Sequence, residues 1–169
     1  MKRIYILRHA KSSWDDPSLT DFDRPLNKRG LKAAPFMGKF MASNGLVPDL
    51  IVSSPAERAR QTAQLTKEAG EFDCPLDFER RIYEADVREL AQVVSETEDK
   101  YNAVLLVGHN PGMEGLVRYL TGEQQRMPTA ALAVILLDID AWPKLSEDCG
   151  TLDRLVRPKA EMKAQENGD

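Results

Sequence analysis

The stretch AVLLVGHNPG (103–112) decides the fold. Its five consecutive apolar residues, 103–107, are too short for a helix and read as a strand buried on both faces. Gly108 and His109 end the run. Asn110 and Pro111 then form a cap and first-helical-position pair, opening a helix to about Leu120. Strand, short turn and helix are the repeating unit of an α/β domain.

The same unit recurs upstream. LIVS (50–53) is a buried strand that runs into Ser54-Pro55, again a cap and first-position pair, with a helix to about Ala69. RIYIL (3–7) is a first buried strand, followed by polar, irregular sequence over 8–25. Asn27 caps a helix to about Asn44 with Gly45 as its stop, and Pro35 should kink or split it. Residues 76–83 read as a short strand, Asp86 as the cap of a helix to about Glu96, ALAVILLDI (131–139) as a buried strand and LDRLV (152–156) as an edge strand. No internal repeat or linker divides the chain. The expectation is one domain over 1–157, a three-layer α/β/α sandwich with a mostly parallel central sheet, and a disordered polar tail over 158–169.

Composition narrows the function. At 169 residues the chain is large enough to bury roughly 70% of its unfolded surface without a disulfide or a metal. Two cysteines and two histidines are too few for a disulfide framework or a structural zinc site. No apolar run approaches the roughly 20 residues of a membrane span, and Arg8, His9 and Lys11 interrupt the N-terminal stretch before a signal core forms. A cytoplasmic protein without membrane contact is expected. Net charge is −4, which argues against a general nucleic-acid binder. Residues 1–33 nevertheless carry eight Lys or Arg against four Asp. A positive region within an acidic protein suits a small anion.

In open α/β sheets ligands bind outside the carboxyl ends of the parallel strands. There the sequence places Arg8-His9-Ala10, Ser53-Ser54-Pro55 with Arg58, and Gly108-His109-Asn110. Both histidines of the chain fall at such ends, together with two arginines. Guanidinium groups, imidazoles and helix N-termini converging on one point favour a phosphoryl group. A neutral imidazole beside arginines is also a nucleophile, able to form a phosphohistidine that water later hydrolyses. Fixed cations then neutralise the equatorial oxygens, and no metal or cofactor is implied.

LRHAKSSW (7–14), SSPAERARQTA (53–63) and VGHNPG (107–112) together resemble the three core motifs of the histidine phosphatase superfamily. DRPLNKRG (23–30) and the short chain resemble its SixA-like phosphohistidine phosphatase branch. The resemblance spans most of residues 3–157. It implies a phosphoglycerate mutase-like fold, Arg8 and Arg58 as phosphate clamps, His9 as nucleophile and His109 as the second pocket histidine. It puts the proton donor near Glu84, and Arg60, two residues along the helix from Arg58, should point elsewhere. Ala10 stands where many members have Gly. Asp15 stands near an Asn of phosphoglycerate mutases, and its charge would repel phosphate in a mutase-like pocket.

The leaving group ties donor to substrate. An alkoxide needs a proton as it departs, whereas an imidazole, with a pKa around 6.5, leaves readily once its ring is protonated. The implied substrate is a phosphohistidine in a partner protein; a small phosphate ester is the alternative, and a non-catalytic phosphoprotein-binding or phosphate-sensing module a second. CPLDFER (74–80) has the Cys-x5-Arg spacing of cysteine-dependent phosphatases. Pro75 removes a backbone donor there, and Asp77 and Glu79 place negative charge in the loop. It reads as coincidence.

Overall fold

The computed structural model describes residues 1–168. Six strands form one mixed sheet: β1 (Lys2–Arg8), β2 (Leu50–Ser53), β3 (Leu76–Phe78), β4 (Ala103–Gly108), β5 (Leu132–Leu137) and β6 (Gly150–Val156). Their spatial order is β3-β2-β4-β1-β5-β6. The first four are mutually parallel, while β5 and β6 add an antiparallel wing. Five α-helices complete the fold: α1 (Lys28–Ser43), α2 (Glu57–Gly70), α3 (Val87–Ser95), α4 (Gly112–Thr121) and α5 (Pro158–Gly168).

Alternation along the central strands creates two cores. Ile4, Ile6, Val104 and Leu106 pack with Leu90, Val93, Met113, Leu116 and Val117 of α3 and α4. Tyr5, Leu7, Leu105 and Val107 face the other way, onto Ala34, Met37 and Met41 of α1 and Ala59 and Ala63 of α2. A strand's side chains point alternately to opposite faces, so continuous apolar runs require helices on both sides. The three-layer arrangement follows.

Several local expectations shift. Helix α1, capped by the Asn27 side chain on the Gly30 amide, continues through Pro35 as one helix. Its buried face, Ala34, Met37, Gly38 and Met41, is held against α2, and Thr66 Oγ1 donates to the Ala34 carbonyl. Strand β3 stops at Phe78, and a single 3-10 turn over Arg80–Ile82 replaces the rest of the expected strand. Asp86 caps α3 in a complete capping box with Glu89. Helices α2 and α4 begin at Glu57 and Gly112, later than Ser54-Pro55 and Asn110-Pro111 suggest.

The segment 158–168, expected as a disordered tail, is helix α5 against α1. Pro158 at its first position is buried, and Lys, Ala, Glu, Met and Gln that follow are strong helix formers. Polarity hid a propensity that α1 then stabilises. Asp169, the end of that expected tail, lies outside the described residues.

Candidate active site

Strand register brings the two histidines together. Arg8 of β1 pairs with Gly108 of β4, so His9 and His109 are the first residues beyond the same rung of adjacent parallel strands. Such strands lie about 4.8 Å apart. The two imidazoles accordingly approach to 5.1 Å between centroids, tilted by 52°. Gly108 is closely packed beside them: a Cβ there would stand 2.8 Å from the terminal methyl of Met113 and 3.0 Å from Ile82.

His9 is buried, and its Nδ1 lies 2.7 Å from the Ala10 carbonyl. A carbonyl only accepts, so Nδ1 carries the proton and Nε2 keeps its lone pair. Burial lowers the His9 pKa to about 3, and His109, Arg58 and Arg8 push it the same way against the opposing pull of the Ala10 carbonyl. Burial followed by Arg58 lowers His109 to about 4. Both rings are therefore neutral near pH 7. His109 places Nε2 2.8 Å from the hydroxyl of fully buried Ser54.

Two arginines flank the pair. Arg8 donates from Nη1 to the Met127 carbonyl at 3.1 Å. That carbonyl also accepts from Asn110, while Glu114 receives the Met127 amide and the Asn110 side chain. Burial lowers the Arg8 pKa and Glu114 partly restores it. Arg58, on the first turn of α2, is held by Asp21 through its carbonyl (2.7 Å to Nη1) and its carboxylate (3.0 Å to Nη2). The Nε atoms of both arginines and Nδ1 of His109 are buried without hydrogen-bond partners among the described residues. Buried donors left unpaired are rare, so the two guanidinium Nε–H groups are open to an acceptor.

The structure thus brings Arg8, His9, Arg58 and His109 together, and leaves Glu84 apart. Glu84 is exposed, sits in a left-handed conformation (φ 58°), and has no hydrogen-bond or ion-pair partner among the described residues. Its charge reaches the Tyr83 hydroxyl, beside the pocket, but it forms no hydrogen bond with either histidine among the described residues. Arg60 points away as expected, stacking on Phe78 at 4.1 Å. The Cys74 thiol is pushed up by burial, the opposite of a reactive thiolate.

Two residues of the pocket escape a reading of the sequence. Asp21 accepts from Arg58, from Arg24 at 3.0 Å and from Tyr83 at 2.7 Å. Burial opposes its charge, but those three donors win and hold the carboxyl well below its usual range. Tyr83 sets its ring edge-on to His109 at 5.5 Å. Its phenol is pushed up to about 12 by burial and by Asp21, so it stays protonated. The D-x-x-R spacing of Asp21 and Arg24 is the one local signal, and it speaks only for the ion pair between those two.

Two hollows, about 490 Å³ beside Asp138, Ile139 and Cys149 and about 310 Å³ between α1 and α5, contain none of these side chains. The two arginines and two neutral imidazoles lie together beyond the carboxyl ends of β1, β2 and β4.

A pair of neutral histidines flanked by two arginines, at the carboxyl edge of an α/β/α sheet, defines a phosphoryl-handling protein. Residues 4–102 match the family model of the histidine phosphatase superfamily, branch 1, and the chain belongs to that superfamily. It is 31% identical to an uncharacterised chloroplastic protein of Arabidopsis thaliana, over 95% of this chain and 80% of that one. It shares the fold of the SixA protein of Agrobacterium tumefaciens, described as a phosphohistidine phosphatase, with a TM-score of 0.80 and 31% identity over 93% and 98% of the two chains. The protein histidine phosphatase SixA complexed with tungstate superposes with a TM-score of 0.81 at 22% identity, over 94% and 99% of the chains, and shows the fold alone. The superfamily and these neighbours identify a phosphatase. No helix among the described residues is long and apolar enough to cross a membrane.

Proposed function

We propose that the protein dephosphorylates phosphohistidine in a partner protein through a covalent intermediate at His9. The observation that carries this reading is the orientation of His9. Its Nδ1–H is spent on the Ala10 carbonyl, so Nε2 offers a lone pair amid two guanidinium groups. Nε2 attacks phosphorus in line as the phosphorus–nitrogen bond of the substrate breaks. The departing imidazole keeps the proton on its other ring nitrogen and leaves neutral. Water then attacks the His9 phosphoramidate, releasing phosphate and restoring the ring. Arg8 and Arg58 neutralise the transferring oxygens throughout, with His109 beside them as a neutral ring. These fixed charges do the work a metal performs elsewhere.

Substrate class follows from the leaving group. Glu84 is exposed and without a hydrogen bond to either histidine among the described residues, so departure depends little on protein acid. Imidazole tolerates that; an alkoxide does not.

Phosphate release from a histidine-phosphorylated carrier protein, in EDTA, tests the proposal. Release by the wild type and none by His9→Ala is the expected result. Release from small esters but not from the carrier would move the substrate to esters. No release from either would leave a binding module.

A further inference from the structure

His109 hydrogen-bonds through a hydroxyl, and a hydroxyl both donates and accepts. Which role it takes decides where the His109 proton sits, and the surroundings of Ser54 answer the question. Ser54 is fully buried, and its Oγ already accepts from the Ala56 amide at 3.2 Å. Its own hydrogen needs an acceptor. Among the described residues the only acceptor within hydrogen-bond distance of Oγ is Nε2 of His109, at 2.8 Å. An O–H that pointed elsewhere would be buried and unsatisfied. The Ser54 hydroxyl therefore donates, Nε2 holds the lone pair, and the ring proton lies on Nδ1. That nitrogen is the buried, partnerless one, in company with Nε of Arg8 and Nε of Arg58.

We propose that Ser54 is a positioning residue that fixes the Nδ1–H tautomer of His109, making this imidazole a neutral hydrogen-bond donor to the bound phosphoryl group. The assignment of the proton stands on the hydrogen-bond accounting alone; the phosphoryl acceptor rests on the function proposed above. In the opposite tautomer, Nδ1 would turn a lone pair toward an anion already rich in lone pairs. The ring's place beside Arg58 is consistent with a neutral donor, because a third positive charge is disfavoured there.

With two histidines in the chain, the test is direct. A long-range proton–nitrogen correlation spectrum of the uniformly labelled full chain reports each ring's tautomer, and His9→Asn assigns the remaining signals to His109. The expected result is a protonated, pyrrole-like Nδ1 and a bare, pyridine-like Nε2 in the wild type. Inorganic phosphate should then move the Nδ1 signal more than the Nε2 signal. Ser54→Ala should let the other tautomer appear and lower kcat about tenfold, the effect of one hydrogen bond, with a smaller change in KM. An Nε2–H tautomer in the wild type overturns the proposal, whatever the variant does. So does phosphate that perturbs His9 but leaves His109 Nδ1 unmoved, a result that would spare the proposed phosphatase chemistry. Phosphate that perturbs neither ring would remove the anion pocket, and the donor role with it.

Discussion

His9 and His109 are the same residue at the same rung of neighbouring strands, and their surroundings give them opposite tasks. Burial makes both neutral, at about 3 and about 4. His9 spends Nδ1 on a carbonyl, which can only accept, and so presents a lone pair at Nε2. His109 spends Nε2 on the hydroxyl of Ser54, which has already accepted from Ala56 and so donates. On the function proposed above, one ring is the nucleophile and the other a donor. The lesson is that a histidine's role in a pocket is set by the one group behind it, more than by charge or by strand position.

The largest expected effect separates the two rings. His9→Ala removes the atom that bonds to phosphorus and should lower kcat/KM on phosphohistidine by on the order of 10,000-fold or more. His109→Ala removes one donor and should cost about 100- to 1,000-fold, while still allowing a phosphoenzyme to form. Steady-state and single-turnover phosphate release measures both. Equal losses would erase the distinction drawn above.

Next comes proton affinity. A shift from 6.5 to about 3 at His9 amounts to a roughly 3,000-fold loss of proton affinity. Imidazole proton shifts of both residues should stay flat from pH 8 to pH 5. Titration of either ring near 6.5 would contradict the buried, neutral pair. Stability carries the same sign. The unfolded chain protonates its histidines below about 6.5 and the native chain does not, so these groups make stability fall as pH drops from there toward 4 and 3, and change nothing above. Melting curves over that window should show a gentler fall in His9→Asn.

A smaller effect tests the support behind the arginine. Asp21→Ala frees the edge of Arg58 that Asp21 holds, and should lower kcat/KM about tenfold. Asp21→Asn keeps a side-chain oxygen that can accept from Arg58 Nη2, and should recover part of that loss. The smallest effect falls at Glu84. Glu84→Gln should leave phosphohistidine hydrolysis within about twofold, since an imidazole needs little acid help. An equal, large loss on phosphohistidine and on an alkyl phosphate would show that Glu84 serves both as proton donor.

Much of this was legible in the sequence, for a physical reason. Buried parallel strands are continuous apolar runs, so β1, β2 and β4 announce themselves, and whatever follows them lies at the ligand edge. Arg8, His9, Arg58 and His109 are found that way. The rest depends on distances the chain does not write down. Asp21 reaches Arg58 across 37 positions, Ser54 reaches His109 across 55, and Tyr83 reaches Asp21 across 62. Ser54 looked like a helix cap, yet α2 starts at Glu57 and the hydroxyl is spent on a histidine instead. Helix α5 escaped because most of its residues are polar, although Lys, Ala, Glu, Met and Gln among them favour a helix once α1 gives it a surface.

The proposed chemistry turns on one atom, Nε2 of His9. Phosphorylated carrier protein mixed with the enzyme, quenched in base within a turnover and digested, yields His9 peptides whose phosphorus resonance distinguishes the two isomers of phosphohistidine. The account predicts phosphate on Nε2 of His9 and none on His109. Phosphate on Nδ1 of His9, or on His109, or turnover with no phosphohistidine at all, would contradict it.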